Sequence, residues 1–97
     1  MSSKIHLAIQ IVPFSQDLHP YLIIDKAIEV IAASGLRYEV GAMETVIEGT
    51  YDEVMQVAKK AHEVCLENGA RELLINIKLH LRKDVDVTWE EKMERYR

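Results

Sequence analysis

Two stretches near opposite ends of the chain alternate so that every second residue is aliphatic, and they restrict the fold more than anything else in the sequence. Between 4 and 13, Ile5, Leu7, Ile9 and Ile11 fall on one side and His6, Ala8, Gln10 and Val12 on the other, until Pro13 removes a ladder donor. Between 71 and 82, Leu73, Ile75, Ile77 and Leu79 oppose Leu74, Asn76, Lys78 and His80. A two-residue period of this kind describes strands with one oily face, and that face needs a cover.

Two helical stretches supply it. Pro20 suits a first helical position, where its missing N–H would have had no partner, and Ile24, Ala27, Ile28 and Ile31 follow at helical spacing before Ser34-Gly35 provides a left-handed stop. Leu22, Ile23 and Val30 widen this stripe beyond what one small sheet covers, which points to a second surface for the helix. Thr50 and Glu53 form a capping box for the second helix, with Asp52 adding negative charge at its positive end. Its inner stripe is Val54, Val57, Ala58, Ala61 and Cys65, and Asn68-Gly69 ends it.

Residues 36–41 and 43–49 read as two short strands joined around Gly41-Ala42 as a hairpin. Past the fourth strand, Arg82 to Asp86 is a charged connector, and Thr88 with Glu91 makes a second capping box for a short last helix. Trp89, Met93 and Tyr96 line one side of it, and about ten residues are not helical alone in water, so that side must dock on this subunit or another. The order β-α-β-β-α-β plus a terminal helix predicts one α+β domain over 1–97. In this split βαβ arrangement two helices cover one face of a four-stranded antiparallel sheet and leave the other open. His6, Gln10, Asn76, Lys78 and His80 then project from the open face.

Composition narrows the function classes. Apolar residues at 48% and charged residues at 29% fit a globular chain, and 97 residues suffice for one domain. With 12 Lys and Arg against 16 Asp and Glu, a formal charge of -4 and no basic block, nucleic acid is not an expected partner. Cys65 stands alone, no signal-peptide core opens the chain, and no apolar run approaches the roughly 18 residues of a membrane span, so a cytoplasmic protein is expected. The four His have no short metal spacing, and no nucleophile has an evident base, so neither a metal, a cofactor nor catalysis is expected.

The run between Gly41 and Gly49 carries the chemistry. Its Val46 and Ile47 suit a strand, whereas Glu44 and Glu48 are not needed by one. Alternation puts Glu44, Val46 and Glu48 on one face and Met43, Thr45 and Ile47 on the other. A covered carboxylate needs a donor, since leaving one unpaired costs on the order of several kcal/mol, and a ligand or a neighbouring subunit can provide it.

Several segments together resemble the thiamine-binding protein family: Met43 to Gly49, the acidic capped helix from Tyr51 to Met55, Lys78 to Asp84, and Thr88 to Lys92. The most specific part is the Met-x-Thr-x-Ile-Glu-Gly run followed by an aromatic and two acids. The resemblance implies a ferredoxin-like fold, association into homodimers or homotetramers, and non-enzymatic binding of thiamine or its hydroxymethylpyrimidine moiety. Glu44 occupies a position that is usually Gly in the family, and Phe14, Ser15, His19 and Pro20 replace its usual small loop residues.

An aminopyrimidine offers an amino donor and ring-nitrogen acceptors, and a thiazolium is a cation, so a site for them needs a carboxylate, a hydroxyl or amide, and flat apolar walls. Met43, Glu44, Thr45 and Glu48 meet that description, with Gln10, Asn76 and Ser15 as further contacts. Each also has a plain structural reading. Glu48 can pair with Lys78 or a symmetry mate, Thr45 can be a good strand residue, Gln10 and Asn76 can meet a facing subunit, and Ser15 can cap locally. The alternative to a binder is an oligomeric interaction module whose semi-polar sheet face is only a subunit interface. An enzyme using Glu44 or Glu48 as general base is the third reading.

Overall fold

A computed structural model describes residues 3–96. The elements run β1 (Lys4–Phe14), α1 (Pro20–Ala33), β2 (Arg37–Val40), β3 (Thr45–Thr50), α2 (Tyr51–Glu67), β4 (Glu72–His80) and α3 (Trp89–Met93), with one further 3-10 turn at Glu94–Tyr96. All strand pairs are antiparallel in the order β2-β3-β1-β4, the ferredoxin-like arrangement expected from the alternations. No helix is long and apolar enough to cross a membrane among the described residues.

Ile5, Leu7 and Ile9 of β1 and Ile47 of β3 pack under Ile23, Ala27 and Ile31 of α1 and Val54, Val57, Ala58, Ala61 and Cys65 of α2. The inner stripe of α2 is the one its spacing gives. That of α1 is turned: Ile23, Ala27 and Ile31 are buried, while Ile24 and Ile28 are only half-buried at its flank. Both capping boxes form, and His19 caps α1, its Nδ1 accepting from Tyr21 N–H at 3.2 Å.

Two features of the fold depart from the sequence reading, and both bear on the open face. The hairpin loop is longer than expected, running Gly41 to Glu44 and closed by Gly41 N–H donating to Glu44 O at 2.9 Å, so Met43 and Glu44 sit in the turn and not on β3. Also, the second sheet face is only partly open. After β4 the connector turns at Asp84 (φ 62°), and Val87 N–H donates to Lys4 O at 2.9 Å while Lys4 N–H donates to Asp86 Oδ1 at 2.8 Å. That tether brings α3 back across the sheet, where Val87 and Trp89 are buried apart from the main core. Tyr96, expected to dock beside Trp89, stays exposed with the Arg95 guanidinium over its ring.

Candidate functional site

Strand register arranges the second face in rows. One row runs Arg37, Glu48, His6, His80, and the next runs Glu39, Val46, Ala8, Lys78, with Gln10 opposite Asn76 beyond them. Three strand gaps of about 4.8 Å make each full row roughly 14 Å wide.

α3 lies over the first row. The Trp89 ring stands 5.5 Å from the His6 ring, and the Arg37 guanidinium lies 5.2 Å from the Trp89 ring centre. Glu48 is buried beneath it and its Oε1 accepts twice, from His6 Nε2 at 2.8 Å and from Trp89 N–H at 3.0 Å. Arg37 is 3.8 Å from the other oxygen. Lys92 Nζ is 2.9 Å from His6 Nδ1. An ammonium only donates, so Nδ1 accepts, and the proton assigned from these partners sits on Nε2, leaving a neutral imidazole between a cation and a carboxylate. Glu48 thus holds strand, imidazole and helix terminus together. Its partner is His6 and not Lys78, which the register sets opposite Ala8, one row away.

The second row is uncovered and forms the floor of a hollow of about 750 Å³, within the range of small-molecule sites. Ala8 and Val46 make the floor, and Ala8 is short between His6 and Gln10 on its own strand, which is why the surface dips there. Glu39 and the loop from Gly41 to Glu44 form one end, with Lys78 reaching it from β4, and His80, Trp89, Lys92 and Met93 form the other. Glu44 and Lys78 pair at 3.0 Å, reaching across β1. His80 is held below the ordinary imidazole value, chiefly by the positive charge of Lys92. Burial lowers Lys92 itself.

The structure brings only part of the expected set together. Met43 and Glu44 line the hollow, and Glu48 supports its wall from beneath Trp89 without lining it. Thr45 is buried on the helix side, opposite Ile9 and Val40. Gln10 and Asn76 hydrogen-bond each other at 3.1 Å in the row beyond. Ser15 is at the far end of β1, its hydroxyl accepting from Asp17 and Leu18 N–H at 3.3 Å, beside a small hollow shared with Phe14, Gln16, Arg71 and Glu72. His6, Ala8, His80, Trp89 and Lys92 were not singled out as site residues. Their sequence signals are weak: a short residue on an alternating strand, and Trp89, Lys92 and Met93 at helical spacing after a capping box.

The family model described as thiamine-binding protein matches residues 7–97. A UPF0045 protein of Clostridium perfringens is 38% identical over 92 residues, covering 95% of this chain and 96% of that protein. The structure of a domain of unknown function from Bacillus cereus superposes with TM-score 0.96 at 43% identity, covering 100% of this chain and 93% of that one. A Thermotoga maritima protein, described as a proposed thiamine biosynthesis or salvage protein, superposes with TM-score 0.87 at 31% identity, covering 97% and 99%.

Proposed function

Since the chain belongs to the thiamine-binding protein family, we propose that the hollow over Ala8 and Val46 binds thiamine or its hydroxymethylpyrimidine moiety without turning it over, in salvage, transport or sensing of the vitamin. The observation that carries this reading is the hollow itself: a flat apolar floor of ring size with carboxylates at one end. A planar heterocycle lies on Ala8 and Val46, the Met43 thioether closes over its edge, and its amino group donates to Glu44. The Glu44–Lys78 pair is no obstacle. Lys78 is 73% exposed, and such surface pairs are worth about 0–1 kcal/mol, so a ligand donor can take the place of the ammonium at little cost. Glu48 contributes through Trp89 and His6, by fixing the wall against which the ligand rests. Gln10, Asn76, Thr45 and Ser15 have their own neighbours, and in this reading the first two extend the polar lane toward a facing subunit of a homo-oligomer.

Calorimetric titration of the folded protein with thiamine and with hydroxymethylpyrimidine tests the proposal, with Ala8→Phe as the blocking variant. One-site saturable heat is expected for the natural sequence, and a loss of at least about tenfold in affinity for the variant, whose ring occupies the floor. Ala8 is only half-buried, so the fold should survive. Silence with both ligands would remove the binder. It would leave the oligomeric interaction module, which the exposed Ile77 and Leu79 on edge strand β4 favour.

A further inference from the structure

The two ends of the hollow differ in charge, and that difference bears on the form of the ligand. At the hairpin end stand Glu39 and Glu44, the second paired with Lys78. At the α3 end stand Lys92, His80 and His6, with Arg82 just behind and already held in a bidentate pair by Glu91. Lys92 is the unusual member. Its ammonium donates to a neutral imidazole, and no carboxylate of the described residues lies within ion-pairing distance of it. Glu48, the nearest buried acid in this network, is on the far side of His6, and both Glu48 hydrogen bonds are spent on His6 and Trp89. A cation lining a cavity with only a neutral partner has donors to spare for an anion.

We propose that the α3 end of the hollow receives an anionic group of the ligand, a phosphate monoester, between the Lys92 ammonium and the His80 imidazole. This rests on the reading that the hollow binds a thiamine-like molecule. The charges around the hollow give such a ligand a direction: its amino-bearing ring lies toward Glu44 and Glu39, its phosphate toward Lys92 and His80. Lys92 donates to the phosphate while keeping His6, and His80 donates once protonated. The groups facing His80 are Lys92 and Arg82, which oppose its protonation, Glu91, which favours it, and the His6 imidazole, neutral while Lys92 donates to it. A bound dianion adds a second favourable charge and should move the His80 titration upward.

The test compares each alcohol with its own ester by calorimetry: thiamine against thiamine monophosphate, and hydroxymethylpyrimidine against its monophosphate. In the ligand pair that binds, the ester is expected to bind about tenfold tighter or more, the effect of one charge-assisted hydrogen bond. Lys92→Met should abolish the preference and Lys92→Arg should keep it, with unchanged Trp89 emission reporting that α3 stays docked. Should Lys92→Met undock α3, His80→Gln on exposed β4 serves instead, and a reduced preference is expected. The His80 imidazole, followed by NMR, should titrate at higher pH with ester bound than with alcohol bound. Equal binding of alcohol and ester, or a preference that survives both variants, overturns this inference and leaves the binding reading standing. Failure of all four compounds to bind overturns both.

Discussion

Truncating Glu48 to alanine asks whether α3 is a fixed wall or a loose flap, and the size of the effect can be worked from its contacts. The carboxylate satisfies two buried donors, His6 Nε2–H and Trp89 N–H, and offsets the charges of Arg37 and Lys92 nearby. Each buried donor left without a partner costs about 1–3 kcal/mol, which sets a ceiling of roughly 6 kcal/mol for the pair. The helix is short and lies at the surface, so it can lift and let water reach both donors before that ceiling is met. A loss of about 2–4 kcal/mol is therefore expected. For a domain of this size, about 4–8 °C per kcal/mol converts that to a fall in Tm of roughly 10–30 °C. Trp89 is the only tryptophan in the chain, so urea unfolding followed by its emission reads α3, while far-ultraviolet dichroism reads the whole fold. In Glu48→Ala the emission should shift red before denaturant is added, and its transition should precede the dichroism transition. Glu48→Gln, which keeps one acceptor oxygen, should fall between. A change below about 0.5 kcal/mol with unshifted emission would refute the reasoning, because the donors would then have found other partners at no cost.

The contacts around α3 and the hairpin loop give two further outcomes. Glu91 is pushed down to about 2, first by the Arg82 guanidinium and then by Thr88 N–H, so its contribution is fully present above the ordinary value near 4.5 and is lost as pH falls from there toward 2. Trp89 emission should thus report undocking of α3 over that window, and Arg82→Gln should move the midpoint upward; a midpoint indifferent to the variant would separate Glu91 from docking. Gly41→Ala places a Cβ 2.8 Å from the Glu44 carbonyl oxygen, a backbone atom that must move, so the loop should shift and stability should fall by about 1–2 kcal/mol in urea titration. Full stability with an unaltered Glu44–Lys78 contact would show that the loop has slack.

Most of the scaffold could be read residue by residue. The alternations of β1 and β4, the Thr50 and Thr88 capping boxes, the Gly35 and Gly69 stops and the α2 stripe each depend on residues a few positions apart, and each formed where its pattern placed it. Of the α1 stripe, Ala27 and Ile31 turn inward as their spacing places them, while Ile23 takes the place of Ile24 and Ile28, because which of several adjacent isoleucines is buried depends on what the helix packs against and not on the helix alone. Of the expected site, Met43 and Glu44 gather at the hollow, whereas Thr45 faces the core with Ile47, the side on which strand alternation places it.

The sequence by itself determined the element order, the caps, and which residues share a face of each strand, since periodicity and capping are local and survive in any packing. Only the tertiary structure decided that a terminal helix folds back over the sheet, that Glu48 is spent on His6 and Trp89, and that Lys92 is left facing a cavity. Those contacts join residues 41 to 86 positions apart, where the order along the chain carries no record of distance.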